Sequence, residues 1–131
     1  MAPAGPSRAP AQRSVQIFGL EGDQGTRAAI RFFKERREPI SFVDLRKRAI
    51  APGELRRFVD RLGAAALLDS TSRSYREAGL GYLRMGVAEI VDRLVADPRL
   101  LRLPLVRRGN EVTVGRAEPS WTVWLRTPGG S

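Results

Sequence analysis

Strand-like and helix-like segments alternate along this chain, and that alternation limits its fold more than any other feature. Ser14–Phe18 is a short β-prone stretch, and the glycine-rich link Gly19–Gly25 leads into a helix that begins near Thr26. The helix ends before Pro39 because proline cannot continue it, and Ile40–Leu45 has the pattern of a second strand. A chain that alternates in this way is predicted to be an α/β protein.

The second half of the chain continues with helices and then a hairpin. The remaining predicted elements are, in chain order, helices at 52–62, 73–79 and 87–95, strands at 104–107 and 111–114, and a last helix from Glu118. Between the two strands, Arg108-Gly109-Asn110 has the composition of a hairpin turn. Trp121 and Trp124 lie on one face of the last helix, so we predict that both pack on the sheet.

The length of 131 residues is that of one domain. Residues 1–13 are rich in Pro and Ala and predict a disordered leader, residues 14–126 predict the folded domain, and residues 127–131 predict a flexible tail. No run approaches the roughly 20 apolar residues of a membrane-spanning helix. The N-terminus also lacks the pattern of a secretion signal. We therefore expect a cytoplasmic protein without membrane association.

The chain contains neither cysteine nor histidine. Without cysteine there is no redox dithiol, no mixed-disulfide intermediate and no thiolate metal ligand. Without histidine the commonest metal ligand and the usual general base near neutral pH are both missing. We therefore expect no metal and no cofactor, and any catalysis would have to use carboxylates, Tyr, Lys or hydroxyl groups.

The net charge of +9 comes almost wholly from arginine, because Lys34 and Lys47 are the only lysines. Such an excess attracts anions, including nucleic acids. Acidic residues interleave with the basic clusters, however, and the apolar stripes take up most of the aromatic residues that would stack on bases. Ordinary surface charge, or the codon bias of a GC-rich genome, explains the arginines better. Nucleic-acid binding is therefore not expected, although weak association through net charge stays open.

Six segments together resemble the arsenate reductase-related family, which includes ArsC, the Spx regulators and YffB-type proteins. The segments are Ile17-Phe-Gly-Leu20, Thr26-Arg-Ala-Ala29, Ile40–Leu45, Tyr75–Leu80, Asp97–Val106 and Gly115-Arg116. Each match is weak alone, but their order and spacing hold over residues 16–125. The resemblance implies a thioredoxin-like mixed sheet flanked by helices, with a helical insertion between its halves.

The resemblance also implies where a family active site would lie. Asp23 occupies the position of the family's reactive cysteine, and Thr26 that of the second cysteine in CxxC-type members. A family arginine that binds anions falls on Leu103, and another falls near Asp69. Arg116 matches the third such arginine.

Leu103-Pro104 matches the family's cis-proline, so we predict a cis bond there. Asp at position 23 would cap the helix that follows it.

The candidate groove therefore comprises Thr26, Arg27, Leu103, Pro104 and Arg116 around Asp23. Because Arg27 follows Asp23 by four residues, one turn of a helix, an ion pair between the two side chains is also expected.

The leading hypothesis is a non-catalytic ArsC/Spx-type protein, which acts as a binding or regulatory module. Spx-type relatives bind RNA polymerase, so the resemblance implies that enzyme as a partner. The alternatives are a divergent glutaredoxin-dependent arsenate reductase and a weak nucleic-acid binder. The chain is expected to be a monomer.

Overall fold

The computed structural model describes residues 14–126, so the predicted leader and tail lie outside the described residues. The strands are β1 (Val15–Gly19), β2 (Ile40–Asp44), β3 (Leu105–Arg108) and β4 (Glu111–Val114). The α-helices are α1 (Gln24–Glu35), α2 (Pro52–Leu62), α3 (Arg73–Glu77), α4 (Val87–Ala96) and α5 (Glu118–Arg126). Short 3₁₀ segments occur at Ala65–Leu67, Leu80–Tyr82 and Pro98–Leu100.

The four strands form one mixed sheet in the order β2-β1-β3-β4. Strand β1 pairs in parallel with β2, and α1 makes the crossover between them. Strand β3 runs antiparallel to both β1 and β4. Helices α2, α3 and α4 lie between β2 and β3 in the chain and form the insertion. The prediction of an α/β, thioredoxin-like mixed sheet with a helical insertion is confirmed.

One face of the sheet packs against α1 and α5. Side chains alternate along a strand, so Val15 and Ile17 point to this face together with Val106 of β3. The helices contribute Ala29, Phe32, Phe33, Trp121 and Trp124. The Trp121 ring centroid lies 5.3 Å from that of Phe32, and its Nε1 donates to Thr113 Oγ1 at 2.9 Å. The predicted burial of both tryptophans is confirmed.

The opposite face packs against the helical insertion. Phe18 of β1 and Leu105 of β3 point to this side and meet a larger cluster. The other buried members of that cluster are Leu45, Ile50, Leu55, Phe58, Ala64, Leu67, Leu80, Ile90, Leu94, Leu100 and Leu101. Burying one such large apolar side chain stabilises the fold by about 1.5–3 kcal/mol. The insertion is therefore held by the same hydrophobic core as the sheet.

Most element boundaries follow local sequence signals. Pro52 begins α2, and Gly63 ends it with a positive φ of 86°. Helix α1 begins at Gln24, two residues before the predicted start, because the cap is Asp23 itself. The 3₁₀ segments were not predicted, since three residues are too few for a hydrophobic period to be visible. Within residues 14–126, no helix has both the length and the apolar character needed to cross a membrane.

Candidate functional site

The start of α1 is organised by the carboxylate of Asp23. The Asp23 backbone is extended, and Oδ2 accepts a hydrogen bond from the Thr26 N–H at 2.7 Å. The same oxygen accepts a second hydrogen bond from Thr26 Oγ1 at 2.9 Å. A carboxylate at this place satisfies a free backbone donor and interacts favourably with the positive end of the helix dipole. The prediction that Asp23 caps the helix is confirmed.

Thr26 is fully buried between its cap and the end of β1. A Cβ atom placed on Gly19 would lie 2.2 Å from Thr26 Oγ1 and 2.7 Å from Thr26 Cγ2, far inside van der Waals contact. Glycine at position 19 therefore allows Thr26 to pack directly against the end of β1. Thr26 acts here as a buried link between β1 and α1.

Gly25 brings the first turn of α1 against the proline loop. A Cβ on Gly25 would lie 2.9 Å from the Leu103 carbonyl oxygen, and 3.3 Å from both Asp23 Oδ2 and Pro104 Cδ. The Leu103–Pro104 peptide is cis, as predicted. Asp23, Leu103 and Pro104 therefore converge on one point at the helix start. The backbone of α1 at Gly25 lies so close to the proline loop that residue 25 has no room for a side chain.

The two arginines of the predicted groove have other partners. Arg27 donates through Nε to the backbone carbonyl of Glu21 at 3.0 Å, and no ion pair joins it to Asp23 within residues 14–126, so that expectation is wrong. The Glu21 carbonyl lies in the same link, Gly19–Gly25, as Asp23, and it accepts the hydrogen bond from the Arg27 guanidinium instead. Arg116 binds the Glu118 carboxylate, with Nη2 at 2.7 Å and Nε at 3.1 Å from Oε2. The structure therefore brings Asp23, Thr26, Leu103 and Pro104 together. The guanidinium groups of Arg27 and Arg116 are bound to other partners.

The pair between Arg116 and Glu118 is a charged surface contact. The hydrogen bond from Arg116, followed by one from the Glu118 backbone, holds the pKa of Glu118 below its ordinary value. A lowered pKa keeps the carboxylate ionised, so the pair is complete at neutral pH and is lost only as the pH falls through that lowered pKa. Because the two side chains are 61% and 35% exposed, the pair orients Arg116 more than it stabilises the fold.

Asp69, where the resemblance places a further family arginine, has a local structural role. Its Oδ1 accepts hydrogen bonds from the Thr71 N–H at 3.0 Å and from Thr71 Oγ1 at 2.6 Å. An aspartate that binds the backbone two residues ahead stabilises a turn. Asp69 therefore supplies negative charge and a turn contact at this place, where the resemblance implies a cation.

An ion pair between β3 and α2 had no counterpart among the sequence-based predictions. Arg107 donates to both carboxylate oxygens of Glu54, through Nε to Oε2 and through Nη2 to Oε1 at 3.2 Å. The two side chains are only 17% and 19% exposed, and Arg107 Nη1 also donates to the Gly109 carbonyl at 2.9 Å. No local pattern could have revealed the pair, because 53 residues separate its members.

Over the described part of the chain, Asp and Glu side chains form no cluster of three or more that could hold a metal ion. The α1 site presents a hydrogen-bonded carboxylate beside a proline loop.

The model of the ArsC family matches residues 19–123 of the chain. Among solved structures, a YFFB protein superposes with a TM-score of 0.77 at 17% identity, over 84% of this chain and 97% of that one. An ArsC family related protein from Bacteroides fragilis gives a TM-score of 0.76 at 17% identity, over 84% and 96% of the two chains. An arsenate reductase from Vibrio cholerae gives 0.72 at 18% identity, over 82% and 94%. No curated protein matches the sequence.

Proposed function

The chain belongs to the ArsC family, and on that premise we propose that it is a non-catalytic member, which acts by binding another macromolecule. The observation that carries the proposal is the absence of cysteine from all 131 residues. At the position that the family resemblance assigns to the reactive thiol, the chain has the Asp23 carboxylate. The remaining framework of sheet, helix start and cis-proline is that of the family fold.

A carboxylate cannot replace a thiol in reductive chemistry. Thiol-dependent reduction needs a thiolate that attacks and then leaves as part of a disulfide, so that two electrons pass to the substrate. Asp23 has no such oxidised form. Its negative charge also lies where the free N–H groups of α1 would otherwise attract an oxyanion. The proposed function is therefore recognition without turnover.

The direct test of lost catalysis is an arsenate reduction assay with glutathione and glutaredoxin. We expect the full chain to give the same rate as the reagents alone, because it has no thiol nucleophile, and Arg27 and Arg116 are bound to other groups. Turnover that rises in proportion to added chain would contradict the proposal and favour the divergent reductase. Arg116→Ala serves as the matched variant, since loss of that turnover would assign it to this site.

The resemblance to the Spx regulators points to RNA polymerase as the partner, in the cytoplasm of a bacterium. We expect the purified chain to bind RNA polymerase from the same organism. Since no cysteine is present to form a switch, the affinity should be equal under reducing and oxidising conditions. Surface plasmon resonance over a salt series measures both properties. Binding that disappears at moderate salt, or that an unrelated protein of equal charge reproduces, would show that the interaction is non-specific attraction through net charge.

A further inference from the structure

A small polar pocket lies between α2 and the β3–β4 hairpin. Its volume is about 190 Å³. Helix α2 contributes Arg57, Asp60 and Arg61, and the hairpin contributes Arg107, Gly109 and Asn110. Val112 adds an apolar side chain to this mostly polar lining. Pockets for drug-sized ligands enclose about 300–1,000 Å³ and are mostly apolar, so this pocket is suited to a small charged group.

The pocket lies at the end of the sheet opposite to the start of α1. Strand β3 runs antiparallel to β1 and pairs Leu105 with Phe18 and Arg107 with Gln16. The hairpin turn after β3 therefore lies beyond the first residues of β1, whereas Asp23 follows the last ones. The pocket is thus separate from the site around Asp23.

Two arginines of α2 bring positive charge to the pocket. Arg57 and Arg61 lie one turn apart on the same face of the helix, and neither forms an ion pair within residues 14–126. Arg107, by contrast, is paired with Glu54. The pocket therefore has two uncompensated guanidinium groups against the carboxylate of Asp60. Like charges at this helix spacing repel each other, and an anion between them would remove that repulsion.

The hairpin turn brings neutral donors to the same pocket. Gly109 has a positive φ of 62°, a conformation that glycine adopts readily. Over residues 14–126, the backbone N–H groups of Gly109 and Asn110 donate no hydrogen bond to a backbone carbonyl. Asn110 is also exposed, so its side-chain amide is accessible from solvent. Successive N–H groups in a turn can form an anion-binding concavity.

We propose that this pocket binds a doubly charged oxyanion of the phosphate type. A tetrahedral oxyanion accepts several hydrogen bonds at once, and a guanidinium matches its geometry with two parallel donors. Arg57 and Arg61 supply the charge, and the hairpin turn supplies further N–H donors. The ion pair between β3 and α2 holds the two sides of the pocket in place before the anion binds. The inference is independent of the proposed function, because it involves neither the start of α1 nor a partner protein.

Titration of the isotopically labelled full chain with glycerol phosphate, followed by two-dimensional NMR, tests the site. The titration is run at about pH 7, where a phosphate monoester is mainly doubly charged, and chloride is exchanged for phosphate at constant ionic strength. We expect saturable shifts of the Gly109 and Asn110 amide signals and of the Arg57 and Arg61 side-chain signals, with a Kd of about 1 mM.

Two further anions define the ligand. Inorganic phosphate should bind with a Kd within about threefold of that of glycerol phosphate, because the recognised group is the same. Saturation by inorganic phosphate alone would identify the free anion as the ligand of this site. Acetate has one negative charge and should bind at least about fivefold more weakly. Equal affinity for acetate would overturn the assignment to a phosphate-type anion.

Four substitutions identify the residues. Arg57→Gln and Arg61→Gln should each raise the Kd at least about fivefold, because each removes a charge-assisted donor. Asp60→Asn should lower the Kd about threefold, because it removes the carboxylate that repels the anion. Arg56→Gln is the matched control, since it changes the charge of the same helix by the same amount, but Arg56 lines a different groove together with Asp92, between α2 and α4. The Kd of this control should stay within about twofold of the native value.

The native chain and the control decide the outcome. A titration in which no signal saturates up to about 20 mM of either phosphate would overturn the proposal. Equal weakening by Arg56→Gln, or an unchanged Kd in Asp60→Asn, would show that the anion responds only to the net charge of the chain, and would overturn it as well.

Discussion

A cysteine introduced by Asp23→Cys is expected to ionise at least about one pH unit below the ordinary thiol value of about 8.5. The thiolate sulfur would lie close to the position of Asp23 Cγ, one bond nearer the backbone than the oxygen that now accepts hydrogen bonds from the Thr26 N–H at 2.7 Å and from Thr26 Oγ1 at 2.9 Å. Hydrogen bonds to the charged form and the positive end of the α1 dipole both favour the thiolate. Because the chain has no other cysteine, the ultraviolet absorbance of the thiolate reports this one group during a pH titration.

Two further variants separate the causes of this pKa shift. Ala96→Cys places an exposed thiol at the last residue of α4, where the negative end of the dipole should hold its pKa at or above the ordinary value. Asp23→Cys/Thr26→Val removes the hydroxyl donor but keeps the side-chain shape, so its thiol pKa should fall between those of the two single-cysteine variants. Equal thiol pKa values in Asp23→Cys and Ala96→Cys would show that the helix start does not stabilise an anion.

Reactivity of the new thiol is not expected to restore arsenate reduction. Leu103 stands where the family resemblance places an arginine, and Arg116 is already bound to Glu118. A low-pKa thiol would then react with alkylating reagents without turning over an oxyanion. Multiple turnovers by Asp23→Cys would instead mean that one substitution alone separates this chain from a reductase.

Gly19→Ala is expected to destabilise the fold by about 1–3 kcal/mol. The added methyl group would lie 2.2 Å from Thr26 Oγ1 and 3.0 Å from Thr26 Cβ. Thr26 cannot rotate away freely, because it is fully buried and its hydroxyl is bonded to Asp23. The strand must therefore shift against α1. Urea unfolding followed by tryptophan fluorescence measures the loss.

Gly22→Ala is the control for this substitution, since a Cβ at position 22 meets nothing within 4 Å. Its free energy of unfolding should change by no more than about 0.5 kcal/mol. Thr26→Ala removes the two atoms that lie closest to the new methyl group. The double variant Gly19→Ala/Thr26→Ala should therefore lose less stability than the sum of the two single variants. Strict additivity would show that the close approach does not limit the strand.

Features that depend on a few neighbouring residues followed from the sequence. The cap at Asp23 and the glycine end of α2 each involve groups within four residues of one another. Such local signals can be read directly from the amino-acid sequence. Burial of Trp121 and Trp124 followed from their helical spacing. Alternation of strands and helices was enough to predict the α/β class, and the match of six segments was enough to predict the order of the fold.

The arrangement of charges was not predictable in this way. Arg27 was expected to pair with Asp23 from its position on α1, yet it donates to the Glu21 carbonyl. Arginine has five donors and a long flexible side chain, so several acceptors lie within reach. Only the positions of the surrounding backbone atoms decide which acceptor it takes.

The sequence by itself determined which chemistry this protein lacks: without cysteine or histidine, thiol redox chemistry and histidine catalysis are excluded whatever the fold. The tertiary structure decided which distant residues meet. It placed Gly25 against the Leu103 carbonyl, paired Arg107 with Glu54, and left Arg56 and Asp92 lining an open groove. The physical reason is that composition is a property of the chain itself, whereas contacts between distant residues depend on how the sheet and helices pack.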